Sequence, residues 1–521
     1  MKRILQLLLP NFLFIILNAS AQSPTIQWAH SFGGSLQDFA RCVHQTTDGG
    51  FIMAGYTDSH DSDVTGFHGT TNFDDYWVVK TDSLGTLQWQ KCLGGTGHDF
   101  GYSIAQGIDG GYAITGSSDS QDGDLSTFWG STDCWLAKLD AGGNLQWQKT
   151  LGGTGSDAGH CIQATADGGY IIAATYTYVD TANNLNENYW IVKIDSLGTL
   201  QWQHLYGGSS PENAWFIMPT FDQGYIVAGT SSSNDSNVTG NKGGTDCWIL
   251  KIDSVGEIQW EKSYGSHVND YCFSITQTKD GGFIFIAQPQ GHDSDVSCVG
   301  FRDYWLVKLD PSGNMQWQQC FGGSGYDQGY SVIQSSDGGY VVAGFSNSID
   351  GDVTGNHGAD YWIIKTDSIG NLEWQKCLGG SSSGETARSI EETSDGGFIV
   401  GGDARSNNGD VTDHRGLSGV EDFWLVKLAP LGLSVPVQEE KEFTVYPNPA
   451  KESLQLAIPM ATENSLQNRT LRILNLIGEE MMAVKVDAEP TTINVKNLAS
   501  GMYFVAVQTE EGMAIGRFVK E

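Results

Sequence analysis

Basic residues are scarce in this chain of 521 residues. Only 28 Lys and Arg stand against 61 Asp and Glu, giving a formal net charge of −33. So anionic a surface excludes nucleic acid as a partner, because phosphate recognition needs clustered Lys and Arg. Anionic lipid is disfavoured for the same reason. Long apolar runs are also lacking: after residue 21 no stretch is long and apolar enough to cross a bilayer. Apolar residues make up 39% of the chain, and no helical period organises them, which argues against a helical enzyme. A Gly-x-Ser-x-Gly elbow, a His-Glu-x-x-His helix and a phosphate-binding loop are all missing. The sequence therefore assigns no catalytic residue. The one cofactor it suggests is Ca²⁺.

What the chain does have is a repeat. Seven near-copies of a unit of about 58 residues run from Trp28 to Leu428. Asp-Gly-Gly recurs at Asp48, Asp109, Asp167, Asp280, Asp337 and Asp395, with Asp222-Gln223-Gly224 in the fourth unit. In the sixth unit, four short stretches of strand character are separated by Gly-rich turns and one longer polar loop at 346–359. Such a unit reads as one four-stranded antiparallel blade. The predicted fold is all-β: a seven-bladed β-propeller over residues 22–428, a linker over 429–442 and a small C-terminal β-sandwich over 443–521. The repeat region begins on a Trp strand, Ile26 to Phe32, and ends on Asp422 to Leu428. Elsewhere strands of these two kinds are joined by a tight turn, so the first strand is expected to complete the last blade and close the ring. The third unit departs from the pattern, with Ala174 for the usual glycine and an atypical loop from Tyr178 to Asn188.

Two Trp series mark the units. Trp28, Trp89, Trp147, Trp202, Trp260, Trp317 and Trp374 form one; Trp77, Trp135, Trp190, Trp248, Trp305, Trp362 and Trp424 form the other. A Trp required in every unit reads as packing between neighbouring blades. Trp129 and Trp215 fall outside both series, and Trp129, in a loop, is the candidate for stacking on a ligand. Nine cysteines would ordinarily suggest disulfides in an exported chain. Several occupy equivalent places in different units, too far apart to bridge one another, so small buried apolar side chains are expected instead.

Two acidic patterns recur. An acid precedes each Asp-Gly-Gly by ten positions: Asp38, Asp99, Asp157, Glu212, Asp270, Asp327 and Glu385. It should open the strand nearest the axis. There it could brace the Gly-rich turn before it or form a ring at the channel mouth that attracts cations. The long loops carry alternating carboxylates, among them Asp61 and Asp63, Asp122 and Asp124, Asp293 and Asp295, and Asp350 and Asp352. These could gather oxygen ligands around Ca²⁺ or form ordinary turns, and no Glu closes an EF-hand loop.

The runs Gly322-Gly-Ser-Gly-Tyr-Asp327, Asp337-Gly-Gly-Tyr-Val-Val-Ala-Gly344 and Asp360-Tyr-Trp-Ile-Ile-Lys365 resemble the bacterial SBBP-type β-propeller repeat across all seven units. That resemblance implies the fold and no chemistry. After the linker, Tyr446-Pro447-Asn448-Pro449, then Gly501-Met502-Tyr503, then the basic end at Lys520 resemble the type A C-terminal sorting domain of the type IX secretion system of Bacteroidetes. Residues 1–21 read as a secretory signal, with Lys2 and Arg3, an apolar stretch and Ala19-Ser20-Ala21. Together these imply export through the periplasm and across the outer membrane, with the type IX machinery as a partner and the cell surface or medium as the destination. The functional expectation is a non-catalytic binding or adhesion module for an extracellular glycan or protein. A secreted polysaccharide hydrolase or lyase and a passive surface layer are the alternatives.

Overall fold

The computed structural model describes residues 23–430 and 444–521, except 71–72, 180–184, 299–301, 382–383, 417–418, 458–468, 476–479, 487–491 and 510–511. The expected leader and most of the expected linker lie outside the described residues. The chain divides into two compact units, 1–431 and 432–521.

The first unit is a seven-bladed propeller, one four-stranded antiparallel sheet per repeat. Blade one holds Asp38–Gln45, Phe51–Thr57, Asp75–Thr81 and Leu87–Leu93, ordered from inside to outside. Blades two to six open on Asp99–Gln106, Ala158–Ala164, Glu212–Pro219, Asp270–Gln277 and Asp327–Gln334. Blade seven takes Thr386–Glu392, Phe398–Ala404 and Asp422–Leu428 from the end of the repeats, and its outer strand is Ile26–Phe32 from the beginning. The two pair antiparallel, Phe32 opposite Phe423 and Ala29 opposite Val426. Blade one then packs on blade seven through a shared core of Val43, Trp77, Ile399, Phe423 and Leu425, and the Asp38 N–H donates to the Glu421 carbonyl at 2.8 Å. The ring closes without a free sheet edge between first and last blades.

Both Trp series pack between blades. Trp77, Trp135, Trp248, Trp305, Trp362 and Trp424 are fully buried. Tyr76, Tyr189, Tyr304 and Tyr361 each lie against the Trp of the next blade, with ring centroids 4.5–4.6 Å apart. The outer series does the same job nearer the rim: Trp89 meets Tyr112, and Trp317 meets Tyr340.

Two expectations need correcting. Cys298 and Cys320 form a disulfide, Cα atoms 5.3 Å apart, within blade five. The argument from equivalent positions does not reach this pair, because Cys298 sits in a loop that folds beside the strand carrying Cys320. Seven cysteines remain free. In blade three the described residues of the expected loop from Tyr178 to Asn188, 178–179 and 185–188, are strand. Tyr170–Val179 and Leu185–Ile194 form a hairpin that continues past the point where other blades turn into loops.

The second unit packs a three-stranded sheet (Thr444–Tyr446, Ser453–Ala457, Thr492–Asn494) and a four-stranded sheet (Arg469–Leu474, Glu480–Val486, Gly501–Thr509, Gly512–Lys520) around one core. That core includes Val445, Leu454, Leu471, Ile473, Tyr503 and Phe518.

Candidate functional site

Each blade begins at a Gly-rich turn, and the acidic repeats converge on it. Before blade two, the Gly94 N–H donates to Asp124, Gly95 to Asp99, Thr96 to Asp122 and His98 to Asp119, at 2.6–3.2 Å. Before blade six, Gly322, Gly323 and Ser324 donate to Asp352, Asp327 and Asp350. Asp63, Asp38 and Asp61 do this for blade one, and Asp295, Asp270 and Asp293 for blade five. Asp157 and Glu212 accept from Gly153 and Gly208, and Glu385 from the Ser406 N–H. The seven strand-opening acids are fully buried. They brace turns and present no carboxylate at a channel mouth. The loop carboxylates each accept one backbone N–H from the turn, which is the ordinary turn role the sequence allowed for them. Among the described residues, no group of three or more His, Cys, Asp or Glu side chains is placed to hold a metal ion.

A second buried acid faces most of these, two positions before the ladder Trp: Asp75, Asp133, Asp246, Asp303, Asp360 and Asp422. Both members of a pair crowd one glycine. A Cβ on Gly33 would fall 2.6 Å from both Asp38 Oδ2 and Asp422 Oδ1. Burial, together with Asp270 opposite, pushes Asp246 up to about 7. Burial likewise lifts Asp99 to about 7, with Asp75 adding to the effect. A second buried carboxyl beside the first disfavours ionising both at once. The third unit carries Asn188 at this position, opposite Glu212, an uncharged amide in place of the second acid.

The Asp of each Asp-Gly-Gly turn has its own partner. Lys80, Lys138, Lys193, Lys251, Lys308, Lys365 and Lys427, all buried, pair with Asp48, Asp109, Asp167, Asp222, Asp280, Asp337 and Asp395 at 2.8–3.0 Å. Every turn is thereby locked to the third strand of its own blade. The signal was legible, since each Lys stands three residues after a ladder Trp, but the sequence reading passed over it.

The seven innermost strands enclose a central cavity of about 290 Å³. Each carries a β-bulge at the same place, three residues after its acid. A bulge adds an unpaired residue and re-aims its side chain. The seven bulged residues are Arg41, Tyr102, His160, Trp215, Phe273, Tyr330 and Arg388, and all of them line the cavity. Tyr102 stacks on His160 at 5.8 Å, and His160 meets Trp215 at 4.5 Å. Phe273 meets Tyr330 at 5.2 Å, and the Arg388 guanidinium lies 4.5 Å over the Tyr330 ring. Burial drops His160 to about 4, so its imidazole is neutral at physiological pH. Arg388 reaches Asp403 at 3.3 Å. Arg41 donates to the Tyr56 hydroxyl at 2.6 Å, while its buried Nε has no partner. The ring therefore presents aromatic faces and two guanidiniums. Sequence reading missed it, because a position that changes in every unit drops out of a consensus.

Trp129 is 62% exposed in its loop, apart from this cavity. In the second unit, Asn448 accepts from the Val519 N–H at 2.9 Å and donates to the Arg517 carbonyl at 3.3 Å. Gly501 pairs with Lys520, and Tyr503 with Phe518. The Tyr503 hydroxyl donates to the Ala499 carbonyl at 2.9 Å. The Pro447-Asn448-Pro449 segment and the last strand are thus one structural element.

Fold and termini define a class: a repeat β-propeller followed by a terminal β-sandwich module. Residues 444–521 match the secretion system C-terminal sorting domain. The chain carries this type IX sorting module and is exported to the cell surface or extracellular space. No curated protein sequence matches the chain. Solved structures resemble it at low identity. YCF48 bound to D1 peptide is 10% identical over 79% of this chain and 98% of its own, with a TM-score of 0.40. An α-L-arabinanase of Penicillium chrysogenum with arabinobiose is 11% identical over 64% and 93%, TM-score 0.38. PorZ, a surface component of the type IX secretion system of Porphyromonas gingivalis, is 10% identical over 96% and 86%, TM-score 0.26. The fold assignment rests on the chain's own sheets, and likenesses this distant carry no functional weight.

Proposed function

We propose that this exported propeller is a non-catalytic binding module whose ligand enters the central channel and is held by the ring of bulged residues. One observation carries the reading. Seven strands share a backbone device that aims one side chain into the cavity, and that side chain changes from blade to blade, guanidinium in the adjoining blades seven and one and aromatic or imidazole in the other five, while the surrounding scaffold repeats. Scaffold positions are held constant by packing, and a ligand site is where a repeat protein can diversify. Aromatic faces suit sugar rings, and guanidiniums suit carboxylates. The preferred ligand is accordingly an extracellular glycan bearing acidic sugars. Glycoside hydrolysis ordinarily needs two carboxyl groups across the scissile bond, and Glu391 is the one carboxylate among the described residues lining the cavity. Delivery by a signal peptide, and retention at the outer membrane after sorting, complete the proposal.

The test is a glycan array probed with the propeller unit, wild type and Trp215→Ala with Arg388→Gln. Binding of uronate-containing glycans that is lost in the double variant supports the reading. Release of reducing ends from a bound polysaccharide would replace it with the enzymatic alternative.

A further inference from the structure

We propose that Cys42 is a nucleophilic thiolate, held by His44 and Glu391, that forms mixed disulfides with disulfide-bearing molecules entering the channel. The three side chains meet where blade one adjoins blade seven, and all line the cavity. Cys42 Sγ lies 3.3 Å from His44 Nε2. His44 Nδ1 lies 3.7 Å from Glu391 Oε1. Glu391 is itself fixed, since its other oxygen accepts the Gln45 N–H at 2.6 Å. An imidazole between a thiol and a carboxylate is the arrangement that turns a thiol into a nucleophile.

The repeat supplies an internal comparison. In every blade but the fourth, which carries Phe216, the residue after the bulge bridges to the next inner strand. Ser103, Ser274 and Ser331 accept from Ile162, Val332 and Ile390 N–H groups, and Ser389 donates to the Val43 carbonyl. Bridging therefore needs only a hydroxyl. Cys161 occupies the same place in blade three and also lines the cavity, but its neighbour is Gln163, which donates to its sulfur at 3.8 Å. Burial pushes the Cys161 thiol up to about 11. Burial acts on Cys42 in the same direction, yet the charge of His44 and its hydrogen bond outweigh it and lower the thiol below its ordinary value. Burial would lower His44, but Cys42 and Glu391 together hold it well above the usual imidazole range. Arg41 and Arg388 on the same two strands add positive charge to the cavity, and blade two contributes the neutral Tyr102.

In the reaction, the Cys42 thiolate attacks one sulfur of the incoming disulfide. The new S–S bond forms as the old one breaks. The second sulfur leaves as a thiolate and takes a proton from solvent. Cys42 is oxidised and the departing thiol is reduced, so no further oxidant is needed.

The test uses the propeller with its native disulfide intact, reacted with 2,2′-dithiodipyridine and mapped by peptide mass spectrometry. At about pH 5.5, Cys42 should form its adduct at least about tenfold faster than Cys161. His44→Gln copies the native Cys161–Gln163 arrangement and should erase that lead at acid pH. Cys42→Ser, the residue native to four other blades, should remove the adduct with the fold retained by circular dichroism. A Cys42 rate no faster than that of Cys161 overturns the proposal, as does a lead that survives His44→Gln.

Discussion

The Tyr76 hydroxyl donates to the Trp135 carbonyl at 3.0 Å, and the two rings lie 4.6 Å apart across the boundary between blades one and two. Tyr189 with Trp248, Tyr304 with Trp362, and Tyr361 with Trp424 repeat the link. At the closing boundary Phe423 lies against Trp77, ring centroids 4.5 Å apart, without a hydroxyl. Removing only the hydroxyl should thus be tolerated. Tyr76→Phe should lower unfolding free energy by about 1 kcal/mol, and Tyr76→Ala by about 3–5 kcal/mol. Denaturant titration of the propeller measures both.

Stability should peak on the acid side. Hydrogen bonds and Lys80 hold Asp48 at about 2 against the opposing effect of partial burial, and Asp167 behaves alike. Their contribution is complete above the unfolded value of about 4 and is lost as pH falls through about 2. Asp99 and Asp246 run the other way, each lifted to about 7 by burial. Their contribution is complete below about 4 and is lost as pH rises through about 7. Unfolding midpoints measured across this range should fall from mildly acid to neutral pH. Asp246→Asn, which copies Asn188, should flatten that fall.

The Cys298–Cys320 bridge spans a sequence separation of 22. Closing a loop of that size restricts the unfolded chain by about 3 kcal/mol. Cys298→Ser with Cys320→Ser should lose about that much in denaturant titration, and added reductant should have the same effect on the wild type.

Asn448 ties the Pro-Asn-Pro segment to the final strand. Asn448→Ala should reduce delivery to the surface or medium in a host with type IX secretion while the propeller stays folded. Cell fractionation with an antibody to the propeller reads this directly.

Much of the architecture was legible because packing repeats. Trp77 and its counterparts, the Asp48 turns, and the pairing of Ile26–Phe32 with Asp422–Leu428 all appear in sequence as periodic residues or as a missing half at each end. The acids at Asp38 and its equivalents were rightly placed at the start of the inner strands, but their burial depends on Ser59, Ser120 and Ser348 folding over them, which no local pattern displays. The bulged ring was illegible for the opposite reason. Arg41, Tyr102, His160 and Trp215 share a backbone position and no chemistry. Cys42, His44 and Glu391 lie on strands separated by most of the chain, and only ring closure brings them together.

The claim that the channel ring is the ligand site is tested most directly by the stoichiometry of binding. Calorimetric titration of the propeller with a glycan found on the array should give one ligand per chain, with affinity at least about tenfold weaker in Trp215→Ala. A stoichiometry approaching seven, or unchanged affinity in that variant, would place the ligand on the repeated outer loops and contradict the account.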